Sequence, residues 1–139
     1  MLETLSENVL TIINKLLALQ NQSYSIYSKY TVSCILIDDK NNEYSGVNVE
    51  NASYGLTMCA ERVAIGNAIT NGSKKIKEIH ILCGNEKDNF SVPCGACRQV
   101  ISEFSDEHSV VVMWNSNGEK KEISISELLP YAFDKNYLK

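Results

Sequence analysis

The sequence predicts a single α/β domain in which helices cover a central mixed β-sheet. The chain has 139 residues, of which 44% are hydrophobic and 22% are charged, as in an ordinary globular protein of one-domain size. Short β-branched segments alternate with segments of helical period, a pattern typical of strands joined by helices. We therefore expect one domain over residues 1–139.

The individual elements follow from periodicity and from turn residues. A first helix is predicted over residues 4–20, because Thr4 and Glu7 fit a capping box and apolar residues follow at helical spacing. Strands are predicted at 31–37, 43–50, 75–84, 108–114 and 120–125, and further helices at 58–70, 94–104 and 125–130. Asn71-Gly72 indicates a helix end and Asn117-Gly118 a hairpin. The order α-β-β-α-β-α-β-β-α predicts parallel pairing at the fourth strand through a right-handed crossover.

Charge and the N-terminal segment argue against nucleic acid polymer binding, export and membrane insertion. The net charge is −4 and no stretch is rich in Lys or Arg, which argues against a surface for a nucleic acid polymer but not against a small nucleoside. Glu3 and Glu7 stand where a signal peptide would carry positive charge, and Asn14 and Lys15 interrupt the apolar run. We expect neither export nor a membrane span, and hence a cytoplasmic protein.

The cysteines favour metal binding or catalysis. They are Cys34, Cys59, Cys83, Cys94 and Cys97, and an odd number without an export signal argues against a disulfide framework. Cys94 and Cys97 are three apart at the start of one predicted helix. Cys59 is expected in the first turn of another, with Thr57 available as its N-cap. Helix N-termini lower the pKa of a thiol and so favour the thiolate that a metal needs.

Three thiolates indicate a catalytic zinc site. Structural zinc takes four protein ligands, whereas catalytic zinc takes three and leaves a position for water. There is no second CxxC pair, and neither His80 nor His108 is spaced as a fourth ligand, so both histidines are expected to be ordinary core or surface residues. The CxxC pair by itself leaves open a dithiol redox site or a structural zinc module.

Glu61 and two arginines complete the predicted centre. Residues i and i+2 of a helix point about 200° apart, so Glu61 and Cys59 share a site only if it lies beyond the helix end. There the carboxylate would act as general acid and base, although a glutamate in a first turn can simply favour the helix dipole. Three thiolates on a divalent ion leave one net negative charge, which Arg62 and Arg98 are expected to offset.

Several motifs together resemble one family. The segment Cys59-Ala-Glu61 followed by a PCGACRQ segment is similar to the metal motif of zinc-dependent cytidine deaminases. The segments that resemble the short, homotetrameric, three-cysteine type are YSKYTV (27–32), GVNVENASYGLTMCAER (46–62), PCGACRQ (93–99) and LLPYAF (128–133). The resemblance implies a three-layer α/β/α fold with a five-stranded mixed sheet. It also implies one Zn²⁺ per chain, bound by Cys59, Cys94 and Cys97.

The resemblance also implies a reaction: hydrolytic deamination of cytidine, and of deoxycytidine, to uridine or deoxyuridine and ammonia by zinc-activated water in pyrimidine salvage. Glu61 would shuttle the protons, and a homotetramer would place its active sites at subunit interfaces. The implied substrate contacts are Asn48 and Glu50 at the ribose and Tyr30, Ala60 and a neighbouring subunit's Phe133 at the base. A deaminase of another aminopyrimidine nucleoside, such as blasticidin S, is the nearest rival.

Some positions depart from that family. Tyr30 stands where a Phe is usual, and its hydroxyl needs a partner. The TVSCIL segment adds bulk at Cys34 and Ile35, where sheet and helix should pack closely. Cys34 and Cys83 belong to no motif and are expected to be buried free thiols.

Overall fold

The structure, a computed structural model, describes residues 7–138, and within them the elements follow the predicted order. The α-helices are Glu7–Leu19 (α1), Ala60–Thr70 (α2), Gly95–Glu103 (α3) and Ile125–Leu128 (α4). The strands are Val32–Asp38 (β1), Glu43–Val47 (β2), Ile76–Cys83 (β3), Val110–Trp114 (β4) and Lys120–Ser124 (β5). The predicted start of the first helix at residue 4, with its capping residue Thr4, lies outside the described residues.

The five strands form one mixed sheet in the order β2-β1-β3-β4-β5. β1 pairs antiparallel with both β2 and β3, whereas β3 and β4 are parallel and are joined through α3. β5 returns antiparallel to β4. The predicted parallel pairing at the fourth strand is confirmed, and it places the loop before α3 at the carboxyl end of β3.

Alternating residues of the strands supply two separate cores. On one face, Cys34 and Leu36 of β1 pack in a cluster with Ala60 and Ala64 of α2. On the other face, Ile35 packs with residues of α1. Successive strand residues point to opposite faces, so helices on both sides of the sheet are needed to bury them. The predicted three-layer arrangement is confirmed.

Two predicted strands extend two or more residues beyond one end of the observed strand. β2 ends at Val47, three residues before the predicted end. The N–H of Asn48 still donates to the Val32 carbonyl at 3.2 Å, but its own carbonyl accepts from Tyr24, and its side chain bonds to the main chain of Tyr30 and Val32. β4 begins at Val110, since the turn at Asp106 to Ser109 occupies the residues before it. Both differences lie at strand ends, where the polar side chains satisfy the backbone.

The predicted turns at two Asn-Gly pairs are confirmed. Gly72, with φ 89°, follows the C-terminal end of α2, and its N–H donates to the carbonyl of Ile69 at 3.0 Å. Gly118, with φ 85°, lies in the loop between β4 and β5. Both glycines take a left-handed conformation that a side chain would make costly.

Gly46 allows α2 to lie directly on β2. A Cβ atom at this position would lie 2.4 Å from the carbonyl oxygen of Ala60 and 2.5 Å from the backbone nitrogen of Ala64. The helix that follows Cys59 therefore approaches the strand more closely than any side chain would permit.

Within residues 7–138, no helix has both the length and the apolar character to cross a membrane.

Candidate metal centre

The three predicted metal ligands come together where two helices begin. Cys59 immediately precedes α2, Cys94 immediately precedes α3, and Cys97 lies in the first turn of α3. Their sulfur atoms all lie within 4.8 Å of one another. Both helices point their N-terminal ends, which carry partial positive charge, at the same cluster of sulfurs.

Cys59 is the N-cap residue of α2, which corrects the predicted cap. Its backbone is extended, with φ −73° and ψ 150°, and its side chain makes no capping hydrogen bond. Thr57 is not the cap, because its Oγ1 accepts a hydrogen bond from the backbone N–H of Asn51 at 3.1 Å. Leaving the cap position without a side-chain bond frees the Cys59 sulfur to face the other two cysteines.

The CxxC pair is shaped by the start of α3. Cys94 occupies the N-cap, and its Sγ accepts a hydrogen bond from the backbone N–H of Cys97 at 3.5 Å. Cys97 is fully buried, whereas Cys94 is exposed. An N-cap side chain and one three residues later lie on the same side of a first helical turn, so both sulfurs face the centre.

The geometry of these sulfurs fits zinc. Tetrahedral zinc has Zn–S bonds of about 2.3 Å, which place sulfur ligands roughly 3.8 Å apart. The three sulfurs, all within 4.8 Å of one another, are close enough to bind one such ion. Among the described residues, no His, Asp, Glu or further Cys joins the three sulfurs as a ligand group. Three thiolates with room for a fourth ligand match the catalytic class of zinc site.

The two histidines lie away from the centre, as predicted. His80 is buried on the α1 side of the sheet, where its Nδ1 accepts from Trp114 Nε1 at 3.1 Å. His108 is exposed, and it lies in the turn before β4. Neither side chain belongs to the sulfur cluster.

Arg62 contacts one of the three sulfurs. It lies in the first turn of α2, and its Nη2 donates to Cys59 Sγ at 3.4 Å. Its Nε is buried and has no hydrogen-bond partner among the described residues. Hydrogen bonding from Cys97, followed by that from Arg62, lowers the pKa of Cys59 to about 5. The positive guanidinium therefore stabilises the thiolate form of this cysteine.

Arg98 has a different position from the predicted one. Its Nε donates to the carbonyl of Pro93 at 2.9 Å, and its Nη1 donates to the carbonyl of Leu128 at 3.0 Å. These two backbone carbonyls hold its guanidinium, and no hydrogen bond from Arg98 to a sulfur is found among the described residues. Through its bond to Pro93, Arg98 holds the loop that carries Cys94.

Glu61 lies beside the sulfurs and is almost fully buried, with 4% of its surface exposed. Burial raises the pKa of its carboxyl group, and the negative charge of Cys59 adds to this effect. Cys59 at the cap and Glu61 in the first turn both line one cavity beyond the helix end. This arrangement is the one that their i, i+2 spacing required.

That cavity has a volume of about 210 Å³ and brings most of the predicted site residues together. The predicted residues that line it are Tyr30, Asn48, Cys59, Ala60, Glu61 and Cys94. Residues that were not predicted to belong to the site also line it: Val32, Thr57, Met58, Ile81, Cys83, Ser91 and Val92. The walls are mostly apolar and the polar groups are few, as in small-molecule sites generally.

Asn48 is held rigidly at the edge of the cavity. Its Nδ2 donates to the carbonyl of Tyr30 at 2.7 Å, and its Oδ1 accepts from the backbone N–H of Val32 at 3.0 Å and from the hydroxyl of Ser23. An amide Nδ2 has two N–H groups. One of them therefore remains available for a ligand in the cavity.

Glu50 lies outside the cavity lining and holds the segment before β1. Its Oε1 accepts from the backbone N–H groups of Tyr27 and Ser28 at 3.0 and 3.1 Å, and its Oε2 accepts from the Ser28 hydroxyl. The hydrogen bond from Ser28 lowers the pKa of this carboxyl group. A carboxylate offers about four acceptor positions, and these bonds use three of them.

The hydroxyl group of Tyr30 forms hydrogen bonds within the chain. The ring lines the cavity, and the hydroxyl donates to Glu86 Oε1 at 3.5 Å. Hydrogen bonding with the Cys83 thiol raises the pKa of Tyr30 further than burial does. Cys34 and Cys83 are buried free thiols as predicted, and Cys83 also contributes to the cavity wall.

Phe133 lies apart from the cavity in the same chain. Its ring is 58% exposed and stacks on Tyr137 with centroids 5.2 Å apart. Its carbonyl accepts a hydrogen bond from Gln99 Nε2 at 2.7 Å. Sequence patterns did not single out Gln99 for this contact, although it belongs to the PCGACRQ segment.

Comparison with known proteins identifies the family. The sequence model of the cytidine and deoxycytidylate deaminase zinc-binding region matches residues 6–113. The cytidine deaminase of Sporosarcina psychrophila is 38% identical over 119 residues, which cover 86% of each chain. That of Mycoplasma genitalium is 36% identical over 129 residues, covering 93% of this chain and 98% of the relative.

A solved structure shows the same fold. The crystal structure of cytidine deaminase from Burkholderia pseudomallei aligns with a TM-score of 0.83 at 34% identity. The alignment covers 93% of this chain and all of the other. With the three cysteines, the buried glutamate and the five-stranded sheet in place, the chain belongs to the cytidine and deoxycytidylate deaminase family.

Proposed function

We propose that this chain deaminates cytidine hydrolytically in the cavity at the start of α2 and α3, giving uridine and ammonia. The observation that carries the proposal is the meeting of Cys59, Cys94 and Cys97 with the buried Glu61 at one cavity in a member of this family. Zinc, when bound by the three cysteines, supplies the Lewis acidity that activates a water molecule.

Glu61 moves the protons of the reaction in this proposal. Its carboxylate accepts a proton from the attacking water and donates it to N3 of the base as the new C–O bond forms at C4. It then takes the hydroxyl proton at C4 and delivers it to the departing amine as the C–N bond breaks. Burial raises the pKa of Glu61, which brings its proton affinity closer to that needed near neutral pH.

Arg62 offsets the excess negative charge of three thiolates. Its Nη2 contacts Cys59 at 3.4 Å, and the N-terminal ends of α2 and α3 add partial positive charge. Without this compensation, an anionic ligand set would make the metal a weaker acid toward water. Arg98 supports the same centre only through the position of the loop before α3.

The ribose and base are held by residues around the cavity. The free N–H of Asn48 and the remaining acceptor position of Glu50 suit a sugar hydroxyl, and we assign them to the 3′-hydroxyl. Tyr30 and Ala60 line the cavity where the pyrimidine would lie. Because none of these contacts needs the 2′-hydroxyl, deoxycytidine is also a substrate in this proposal.

Phe133 completes the substrate site from a neighbouring subunit of a homotetramer. Its ring is largely exposed and does not line the cavity of its own chain, which supports this assignment. The whole chain, residues 1–139, acts as one catalytic domain. Five free thiols suit a reducing compartment, so we place the enzyme in the cytoplasm, in the salvage of pyrimidine nucleosides.

Substitution of Glu61 tests the mechanism. We expect Glu61→Gln to bind one zinc per chain as the wild type does, and to lose about three or more orders of magnitude in kcat on cytidine, because the amide cannot accept the proton. Ultraviolet absorbance follows turnover, and metal analysis follows zinc. Turnover within tenfold of wild type would contradict the mechanism.

Three comparisons separate this function from its alternatives. Cytidine turnover should cease with a strong chelator and return with added zinc. A higher kcat/KM on blasticidin S than on cytidine would indicate the rival nucleoside deaminase. Freshly purified protein that lacks zinc and carries a Cys94–Cys97 disulfide would indicate a dithiol redox protein instead.

A further inference from the structure

Two consecutive residues of α3 hold the C-terminal segment of the chain. We call residues 129–134 the C-terminal hook. Arg98 Nη1 donates to the carbonyl of Leu128, just before the hook, at 3.0 Å, and Gln99 Nε2 donates to the carbonyl of Phe133 at 2.7 Å. Both donors lie within one helical turn after the metal ligand Cys97. The hook is therefore tied at both ends to the helix that carries the metal site.

The hook has few other hydrogen bonds to keep it in place. Pro130 has no N–H group, and within the described part of the chain the backbone N–H groups of Tyr131, Ala132 and Phe133 donate no hydrogen bond. Tyr131 is fully exposed and has φ 55°, a left-handed conformation that costs energy for a residue with a side chain. A segment of this kind needs an external anchor to hold one conformation.

Gln99 is that anchor for Phe133. The bond from Gln99 reaches the main chain of Phe133, so it fixes the backbone while leaving the ring exposed. The ring then rests on Tyr137 with an interplanar angle of 20°. The Phe133 side chain is therefore exposed to solvent while its backbone is held in place.

We infer that Gln99 is a positioning residue for the substrate site, acting through Phe133. This inference rests on the proposed function, in which Phe133 reaches the substrate of a neighbouring subunit. Gln99 contacts neither the sulfurs nor the cavity of its own chain, so its loss affects the binding of substrate and leaves the metal and Glu61 as they are.

The neighbouring Arg98 provides an internal contrast. Arg98 bonds to Pro93, next to the metal ligand Cys94, as well as to Leu128. Its loss therefore disturbs both the metal loop and the hook, whereas loss of the Gln99 donor disturbs only the hook. The two residues differ in the kinetic constant that they affect.

The test compares two substitutions of Gln99 that differ in their ability to donate. Gln99→Glu keeps the shape but removes the N–H donor, and Gln99→Lys retains a donor. With cytidine as substrate, Gln99→Glu should raise KM roughly fivefold to tenfold, equivalent to about 1 to 1.4 kcal/mol. Its kcat and zinc content should stay within about twofold of wild type. Gln99→Lys should keep a KM near that of wild type.

A double variant and a matched control make the result specific. Gln99→Glu combined with Phe133→Ala should have the same KM as Phe133→Ala alone, because both act through one ring. Glu103→Gln is the control, since Glu103 is exposed one turn further along α3 and its side chain forms no hydrogen bond or ion pair with the described residues. It should leave KM unchanged.

Hydrogen exchange of the hook separates this inference from the proposed function. Peptides covering 129–134 should exchange faster in Gln99→Glu than in the wild type and in Gln99→Lys, whether or not cytidine is turned over. Equal exchange in Gln99→Glu and wild type, an unchanged KM, or additive effects of the two substitutions would each overturn the inference. A wild type without cytidine turnover would overturn the proposed function and, with it, the substrate role of Gln99.

Discussion

Gly46 is the position where a single methyl group should displace the catalytic helix. A Cβ there would lie 2.4 Å from the Ala60 carbonyl oxygen and 2.5 Å from the Ala64 nitrogen. Both atoms belong to the main chain of α2, so no side chain can rotate away to relieve the contact. Gly46→Ala must therefore move the helix, the strand or both.

The size of the displacement follows from these distances. An ordinary van der Waals contact begins at 3.4 Å, so the Ala60 oxygen must retreat by about 1 Å. Ala60 lies between Cys59 and Glu61, so the metal ligand and the proton-transferring carboxylate move with it. A misplacement of about 1 Å costs on the order of 10²-fold in rate, and overpacking destabilises a fold by about 1–3 kcal/mol.

The assay measures kcat/KM on cytidine together with zinc content and thermal unfolding. We expect Gly46→Ala to remain folded but to lose about 10²-fold in kcat/KM. Gly66→Ala is the control within the same helix, because a Cβ there meets nothing within 4 Å. It should leave activity unchanged and stabilise α2 by about 0.5–1 kcal/mol.

A double variant tests whether main-chain atoms cause the clash at Gly46. Ala64→Gly in the Gly46→Ala background removes a side chain but leaves the backbone atoms that clash, so it should not restore activity. Gly46→Ala with kcat/KM within threefold of wild type would refute the argument. Recovery of activity in the Gly46→Ala, Ala64→Gly double variant would also contradict this explanation.

Two other substitutions follow from the electrostatics of the structure. Arg62→Leu removes the guanidinium that helps to lower the pKa of Cys59. Because protons compete with zinc for the thiolate, zinc should dissociate from this variant at a higher pH than from the wild type. The affinity for zinc should fall roughly 10–100-fold. Arg62→Lys should have a zinc affinity between those of Arg62→Leu and the wild type. Identical pH profiles of zinc loss for the variants and the wild type, measured by competition with a chelator, would contradict this prediction. Asp38 is buried, and although burial raises its pKa, hydrogen bonds from Asn42, Ser73 and Lys40 outweigh this and lower the pKa. Its stabilising effect is therefore present above the unfolded pKa of about 4 and is lost as pH falls through the lower folded value. Asp38→Ala should lose about 2–3 kcal/mol in urea unfolding at neutral pH and a smaller amount in acid; an equal loss at both pH values would contradict the assignment.

Much of this architecture is predictable because local signals agree with the fold. The three inner strands, β1, β3 and β4, are rich in β-branched residues and are bounded by polar residues. Asn71-Gly72 and Asn117-Gly118 mark turns where left-handed glycines are found. The metal ligands are predictable for a related reason. A CxxC pair at a helix start has little freedom, since the spacing of the two cysteines sets which way their sulfurs point.

The cap of α2 and the position of Arg98 were not predictable, because both depend on contacts distant in sequence. Thr57 is a better capping residue than cysteine, yet its hydroxyl is used by Asn51, and the helix begins three residues later. Arg98 is adjacent to a ligand in sequence, yet Leu128, thirty residues away, accepts its bond. Local spacing cannot reveal a partner that the topology brings near.

The placement of the two arginines also decides how the centre balances its charge. Among the described residues, Arg62 is the one cation that donates to a ligand sulfur, so its guanidinium and two helix ends offset the negative charge of three thiolates. Arg98 is thereby free to join α3 to the C-terminal hook through Leu128, next to the bond from Gln99 to Phe133. Because α3 holds two metal ligands and both hook anchors, a shift of this helix alters zinc binding and the position of Phe133 together. A shift of α2, as at Gly46, alters Cys59 and Glu61 but leaves the hook in place, so the two helices should have separable kinetic signatures.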